Sequence, residues 1–299
     1  MLAAYYDRGE DSSELFDALE IAGSESYHQH LNRYDVIKVN MQEFLSMTHS
    51  MDEMLEMLQR YLIRELTRSF EAVDFFDRTN LIQMLKDIYA ETDRAFVILI
   101  DEWDCLFREY KENKEAQKQY LDFLRVWLKD KSYVALAYMT GILPIKKYGT
   151  HSALNMFTEY SMTDPGNLAE FFGFTEEEVH DLCDRYGQIY EQVKLWYDGY
   201  SLEGYQVYNP KAVVSLMLNG KYKSYWSNTG SYEAIVPLIN MNFDGLRAAI
   251  IEMMSGAAVD VDVTSFQNDT VSFANRDDVL TYLIHLGYLA YDQDREQVF

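Results

Sequence analysis

Two short stretches of the chain are apolar at nearly every position, and each of them ends in polar residues. Residues 96–100 read Phe-Val-Ile-Leu-Ile and run directly into Asp101 and Glu102. Residues 133–139 read Tyr-Val-Ala-Leu-Ala-Tyr-Met and are followed by Thr140. A continuous apolar run of this length predicts a buried strand that is covered on both faces, as in a parallel sheet.

Helical periodicity surrounds these two strands. Met and Leu residues recur at helical spacing over residues 50–70, a stripe typical of core packing. Residues 79–89 are predicted to form another helix, and residues 116–129 a third with Tyr120, Phe123, Leu124 and Trp127 on one face. Further strands are predicted at residues 34–40 and 157–162. Strands that alternate with helices predict an α/β fold with a parallel sheet.

The pattern changes after residue 166, where helical segments with short turns replace the alternation. We therefore divide the chain into an α/β core, residues 1–165, and a mostly α-helical region, residues 166–299. Within that region we predict an aromatic turn at residues 196–200 and short strands at residues 260–263 and 270–273.

The net charge, the cysteine count and the apolar runs of the chain exclude several classes of protein. The net charge of −23 argues against a broad nucleic-acid or anionic-membrane surface. Only two cysteines occur, Cys105 and Cys183, which predicts a reducing compartment without a disulfide framework or zinc site. No apolar run approaches the roughly 20 residues of a membrane span. We expect a cytoplasmic protein.

The acids after the first apolar strand are the leading chemical candidates. Ligands of parallel sheets collect at the carboxyl ends of the strands. Asp101 is predicted to hold Mg²⁺ through water, and Glu102 to polarise an attacking water, which is the Walker B pattern of P-loop ATPases. The alternative is structural, because acids also suit the beginning of a helix. Asp104 is either a third carboxylate of the site or the N-cap of the next helix.

The second apolar strand ends in a candidate sensor. NTPases with an added strand between their two nucleotide motifs carry a polar group at its end, near the γ-phosphate, and Thr140 fits that chemistry. Gly141 would permit a tight turn there. A Thr-Gly pair is otherwise ordinary turn chemistry.

The phosphate cradle that such a site requires is not found. A P-loop needs Gly, Lys and Ser/Thr at fixed offsets, so that backbone N–H groups wrap the phosphates and Lys reaches them. Gly220-Lys221 has Tyr222 after it and Ser215 at the first glycine position. Glu112-Asn-Lys114 imitates half of a nuclease motif, but it lies in a polar run that predicts a solvated face.

Eight segments occur in a characteristic order through nearly the whole chain. They are Met1-Leu-Ala-Ala-Tyr-Tyr-Asp7, Val97-Ile-Leu-Ile-Asp-Glu-Trp-Asp104, Met139-Thr-Gly-Ile-Leu143, Phe171-Phe-Gly-Phe-Thr-Glu-Glu-Glu-Val179, Trp196-Tyr-Asp-Gly-Tyr200, Val207-Tyr-Asn-Pro210, Tyr225-Trp-Ser-Asn-Thr229 and Leu286-Gly-Tyr-Leu289. Together they resemble the bacterial and archaeal AAA-ATPase-like family, whose members commonly carry a PD-(D/E)xK nuclease-like domain at the C-terminus.

The resemblance implies a P-loop NTPase-like sheet that lacks its P-loop strand in this chain. In the family that strand and the Gly-Lys-Thr loop precede the helix that matches residues 1–8, and the nuclease-like domain follows residue 299. ATP and Mg²⁺ are the implied ligands of the parent protein, with neither expected on this chain alone. The strand at residues 157–162 is then expected to be displaced, since its partner is missing.

Three functional hypotheses stay open. The chain is a part of an ATP-hydrolysing protein, a non-catalytic protein-interaction module, or a part of a nucleic-acid-processing protein that acts through the nuclease-like domain. The aromatic second half, between residues 196 and 226, would serve the interaction hypothesis, although such residues more often form a core.

Overall fold

The computed structural model describes residues 1–145, 154–225, 243–267 and 273–299, together with 147–148, 151–152, 238 and 240. The chain divides into two compact units, Met1–Ile142 and Leu143–Phe299. This division lies before the boundary predicted after residue 165, so residues 143–165 belong to the second compact unit. The predicted functional boundary itself stays a prediction.

The first unit is an α/β structure. Its strands are β1 (Asp35–Asn40), β2 (Phe96–Asp101) and β3 (Val134–Met139). Its helices are α1 (Leu2–Tyr6), α2 (Ser13–Phe16), α3 (Tyr27–His30), α4 (Met41–Ser46), α5 (Met51–Ser69), α6 (Leu81–Thr92), α7 (Cys105–Glu109) and α8 (Lys114–Leu128), with a short 3₁₀ helix at Glu20–Gly23.

The three strands form a parallel sheet in the order β1-β2-β3. The predicted α/β class and its parallel sheet are therefore confirmed. The register places Asn40 beside Asp101 and Ile100 beside Met139, so the carboxyl ends of all three strands meet at one edge. All five apolar residues of β2 are buried, as its continuous apolar sequence predicts.

Strand β3 differs from its prediction as a second buried strand. Leu136 is 37% exposed and Tyr138 is 43% exposed. The reason is its position, because among the described residues β3 pairs only with β2 and its other side forms the edge of the sheet. An uncharged, apolar sequence at a sheet edge is unusual, since natural proteins commonly protect edges with charged residues.

Helices α5 and α8 supply much of the packing in the first unit. Ser50 caps α5 by accepting a hydrogen bond from the Glu53 amide, and the predicted Met/Leu stripe is buried along its length. Asn113 caps α8 in the same way through the Ala116 amide. The aromatic face predicted for α8 is confirmed by buried Tyr120 and Trp127.

The second unit contains more strands than predicted. Its helices are α9 (Glu176–Tyr186), α10 (Tyr190–Tyr197), α11 (Pro210–Asn219), α12 (Leu246–Met254) and α13 (Arg276–His285), with a 3₁₀ helix at Gly166–Phe171. Its strands are β4 (Lys147–Tyr148), β5 (His151–Ser152), β6 (Phe174–Thr175), β7 (Asp198–Leu202), β8 (Tyr205–Tyr208), β9 (Val259–Asp260), β10 (Tyr291–Asp292) and β11 (Gln297–Val298).

Six of these strands form a mixed sheet in the order β6-β8-β7-β10-β11-β9. The description of this region as mostly helical therefore missed a sheet, because strands of two to five residues are too short to show a period. The predicted aromatic turn at residues 196–200 is instead the end of α10 running into β7. Helix α9 has Thr175 as its N-cap, which forms a capping box with Glu178.

The strand predicted at residues 157–162 does not form. These residues are turn and irregular backbone, apart from an isolated antiparallel bridge between Ser161 and Asp164. The strand predicted at residues 270–273 and the segment at 226–229 lie largely or wholly outside the described residues. Of the helices that the structure describes, none combines the length and apolar character needed to traverse a bilayer.

Candidate active site

Polar side chains from adjacent strands meet at the carboxyl edge of the three-stranded sheet. Asp101 is the exposed last residue of the otherwise buried strand β2. Thr140 directly follows β3, and its hydroxyl donates a hydrogen bond of 2.7 Å to Oδ1 of Asp101. The backbone amide of Thr140 also donates to the Ile100 carbonyl at 2.9 Å. Two residues that the sequence predicts for one site are thus in direct contact.

The carboxylate of Asp101 is suited to a hard cation. Its Oδ1 also accepts from the Glu102 amide at 3.0 Å, whereas Oδ2 has no hydrogen-bond partner among the described residues. Mg²⁺ usually keeps several waters and binds one or two carboxylates plus phosphate oxygens. The described residues contain no group of three or more His, Cys, Asp or Glu side chains placed to hold a metal.

Glu102 occupies a constrained backbone position next to Asp101. Its φ of 53° is in the left-handed region, which is uncommon for a residue other than glycine. Its Oε2 accepts a hydrogen bond from Nη2 of Arg108. The backbone conformation of Glu102 and its ion pair with Arg108 together determine the orientation of its carboxylate.

Asp104 was predicted to be a site carboxylate or a helix cap. It does stand at the N-cap position of α7, but its side chain makes no capping hydrogen bond. The residue is fully buried at 0% exposure, and its Oδ2 lies 3.4 Å from Nε of Arg108. A buried carboxylate needs such a partner. Sequence reasoning overlooked Arg108, although Asp and Arg four residues apart are a recognisable helical pair.

The turn after β2 is fixed to its surroundings by several contacts. The Trp103 amide donates to the Thr140 carbonyl at 3.1 Å, and the Tyr120 hydroxyl donates to the Trp103 carbonyl at 2.9 Å. A Cβ on Gly141 would lie 2.5 Å from Oδ1 of Asp104 and 2.6 Å from Cδ1 of Trp103. Glycine is needed here for close approach and not, as predicted, for turn geometry.

Asn40 is the third strand end at this edge, and it was not among the site residues predicted from the sequence. It lies beside Asp101 in the register, and its side-chain oxygen caps α4 by accepting from the Glu43 amide at 3.2 Å. This contact accounts for the asparagine structurally. It also means that helix α4 begins directly at the edge that carries the two acids.

The cysteine beside the site is buried, which favours its neutral thiol form. Burial raises the pKa of the Cys105 thiol to about 12, and the nearby Arg108 only partly offsets this. Reactive cysteines need the thiolate form, which burial disfavours. Both Cys105 and Cys183 are free and buried.

The Gly220-Lys221 pair, which does not match a phosphate loop, has a structural role. Gly220 follows α11 as its left-handed C-cap, with a φ of 63° and its amide bonded to the Leu216 carbonyl. Gly220-Lys221 therefore ends a helix, whereas a phosphate loop begins one. Glu112 and Lys114 are both exposed where α8 begins, in agreement with their interpretation as a solvated face.

Comparisons with known proteins identify a family for the first half of the chain. A family model described as "AAA-ATPase_like: Predicted AAA-ATPase" matches residues 1–150. A curated protein of Azotobacter chroococcum mcd 1, "Uncharacterized protein in vnfD 5'region", is 25% identical over 169 residues, which are 54% of this chain and 32% of that protein. The matched part thus spans about a third of the relative's length. No solved structure matches the chain.

Proposed function

Because the chain belongs to the predicted AAA-ATPase family, we propose that it supplies the metal-binding and water-polarising acids of an ATP-hydrolysing protein. The observation that carries the proposal is the hydrogen bond from Thr140 to Asp101, with Glu102 as the next residue. It joins two parallel strand ends at the edge where such sheets bind their ligands.

The residues have distinct proposed roles. Asp101 would hold Mg²⁺ through water, using Oδ2, the carboxylate oxygen without a hydrogen-bond partner among the described residues. A Mg²⁺ ion held there would neutralise charge on the phosphates of ATP. Glu102 accepts a proton from the attacking water. Thr140 orients Asp101, and it would act as a sensor of the γ-phosphate only if its hydroxyl turned from Asp101 towards the phosphate.

The phosphate cradle would come from a strand beside β3. The exposed apolar side chains Leu136 and Tyr138 support this, because an added strand and its covering helices would bury them. The failure of residues 157–162 to form a strand is also compatible with a missing partner. The parent protein would contribute that strand and its Lys, and this chain alone would contribute only the acidic half.

Without the cradle, we expect this chain to hydrolyse no measurable ATP. A triphosphate is repelled by carboxylates that lack a balancing cation, and the chain's net charge of −23 adds to the repulsion. Two free, buried thiols are compatible with a reducing compartment such as the cytoplasm, which is part of the proposal.

An interaction module is the second candidate. Large apolar side chains are exposed in the second unit, including Leu195 at 84% and Leu218 at 74%, and Trp196 is half-exposed. Exposed apolar residues of this size are common at protein interfaces when they form one patch. The other aromatics of that half are mainly core, as Tyr197, Tyr208 and Tyr225 are buried together.

Nucleic-acid processing would require a further domain. The family resemblance implies a nuclease-like domain in the parent protein, and its activity would belong to that domain. The strongly acidic chain itself offers no broad basic surface for nucleic acid.

The test is to express the longest natural reading frame that contains this chain and to measure Mg²⁺-dependent ATP hydrolysis. We expect hydrolysis, and we expect Asp101→Asn to abolish it. Asp122→Asn, at a half-exposed position of α8 that pairs with Arg125, is the matched control and should retain the rate. A natural protein that has no phosphate loop, or that hydrolyses ATP equally well with Asp101→Asn, would contradict the proposal and favour the interaction module.

A further inference from the structure

We propose that Arg108 is a positioning residue for Glu102, and that buried Asp104 holds Arg108 in place. The inference rests on the proposed function, since it concerns how the water-polarising carboxylate is oriented. It assigns a role to a residue outside the Walker B pattern. Three charged side chains, Glu102, Arg108 and Asp104, form the arrangement.

The guanidinium of Arg108 contacts both carboxylates with different nitrogens. Its Nη2 donates to Oε2 of Glu102, and its Nε lies 3.4 Å from Oδ2 of Asp104 in an ion pair without a hydrogen bond. A guanidinium is planar and rigid, so two contacts made by different nitrogens restrict its rotation more than one contact does. An ammonium group, which is a point charge on a flexible stem, would not impose the same direction on both partners.

The far end of the arrangement is held in the protein interior. Asp104 is fully buried, and it lies in the turn that Trp103 and Tyr120 fix by hydrogen bonds of 3.1 and 2.9 Å to their partners. The Cβ-free backbone of Gly141 packs directly against this turn. Arg108 therefore connects a fixed buried carboxylate to a partly exposed one.

Only one oxygen of Glu102 is used by this ion pair. Oε2 accepts from Arg108, whereas Oε1 has no hydrogen-bond partner within the described parts of the chain. A carboxylate with both oxygens engaged by a guanidinium fork would have less capacity to accept from water. Holding one oxygen fixes the direction of the other, which is the logic of a base oriented by a third group.

A purely structural role for Arg108 would make a different prediction. Neutralising Asp104 requires only a positive charge near its carboxylate. The contact with Glu102 is not needed for that purpose, so Arg108→Lys separates the two roles. Lysine retains a positive charge for Asp104, but it lacks the fork that contacts both carboxylates.

The kinetic experiment uses the natural protein that contains this chain. With Arg108→Lys we expect kcat for ATP hydrolysis to fall by about 10- to 100-fold while KM for ATP is kept, because misplacement of a reacting group lowers the rate of the chemical step. Arg68→Gln, which removes an exposed ion pair on α5, is the control and should change neither value. An unchanged kcat for Arg108→Lys overturns the proposal.

A second readout does not depend on ATP. On this chain, urea unfolding is measured for Glu102→Gln, for Arg108→Lys and for both together. We expect the two effects to be non-additive, since contacting residues couple. Additive effects would overturn the positioning role whatever the protein hydrolyses. If the effects on unfolding are non-additive but the natural protein hydrolyses no ATP, the proposed function is wrong. Arg108 then orients Glu102 without a role in catalysis.

Discussion

The hydroxyl of Thr140 donates a 2.7 Å hydrogen bond to Oδ1 of Asp101 and so joins the ends of two neighbouring parallel strands. The other oxygen of Asp101 faces no hydrogen-bond partner in the described chain. The contact thus restricts the orientation of the Asp101 carboxylate through one of its two oxygens. Because both residues are exposed, the bond matters more for the arrangement of the site than for the stability of the fold.

Thr140→Val tests this relationship with little change in shape. We expect the free energy of unfolding to change by less than about 1 kcal/mol, because the lost bond is exposed to water. In the natural protein we expect the Mg²⁺ concentration that gives half-maximal hydrolysis to rise. Thr140→Ser retains the hydroxyl and should restore the metal requirement. An unchanged metal requirement in Thr140→Val would contradict the orienting role.

Gly141→Ala tests the close packing of the turn after β2. The added methyl would lie 2.5 Å from the Asp104 carboxylate, so the turn must shift or the alanine must be strained. We expect a loss of about 1–3 kcal/mol of stability in urea unfolding, as for overpacked sites. Gly23→Ala is the control, because a Cβ there meets no atom within 4 Å. Equal stability of the two variants would show that the turn accommodates the added methyl without a loss of stability.

Tyr120→Phe tests the bond between α8 and the same turn. It removes the buried hydroxyl that donates to the Trp103 carbonyl at 2.9 Å. We expect a loss of about 1–3 kcal/mol of stability, since the carbonyl is left without this donor. Tyr61→Phe, at a half-exposed tyrosine of α5, should be close to neutral. A neutral Tyr120→Phe would mean that another donor reaches this carbonyl.

The contrast between β2 and β7 shows which parts of the fold a sequence can reveal. Strand β2 has five consecutive apolar residues and acids at its end, so both its burial and its candidate site residues can be predicted from the sequence. Strand β7 follows helix α10 without an intervening loop, and its pairing with β8 and β10 depends on residues far along the chain. The local spacing of apolar residues does not indicate such long-range pairing.

Strand β3 shows a different limit. Its apolar sequence indicates burial, but exposure depends on which strand lies beside it, and no second partner is described. At the candidate site, Asp101, Glu102 and Thr140 were recognisable because they end predicted strands. Arg108 was overlooked despite its helical spacing from Asp104, because its contact with Glu102 depends on a turn in which Glu102 adopts a left-handed conformation.

The second unit should lose stability in acid through Glu176. A hydrogen bond from Tyr190 and then one from Lys194 lower the pKa of this carboxyl below its usual 4.5. A lowered folded-state pKa stabilises the protein above the unfolded value, and this contribution is lost as the pH falls through the folded value. We therefore expect Glu176→Gln to weaken the pH dependence of thermal unfolding below about pH 4.5.

The matched control for that measurement is Glu177→Gln. Glu177 lies in the same first turn of α9, so it reports the effect of a helix-terminal acid without the contacts to Tyr190 and Lys194. It should leave most of the acid dependence intact. If the unfolding temperatures of Glu176→Gln and Glu177→Gln depend on pH in the same way, the hydrogen bonds from Tyr190 and Lys194 to Glu176 do not stabilise the fold above its pKa.

Glu102→Gln in the natural protein tests the central claim most directly. Glutamine keeps the size of the side chain but cannot take the proton of a water. Nucleotide binding, followed with a fluorescent ATP analogue, and phosphate release are measured on the same preparation. The account predicts that hydrolysis falls by about 100-fold or more while binding is largely kept. Unchanged turnover would contradict it.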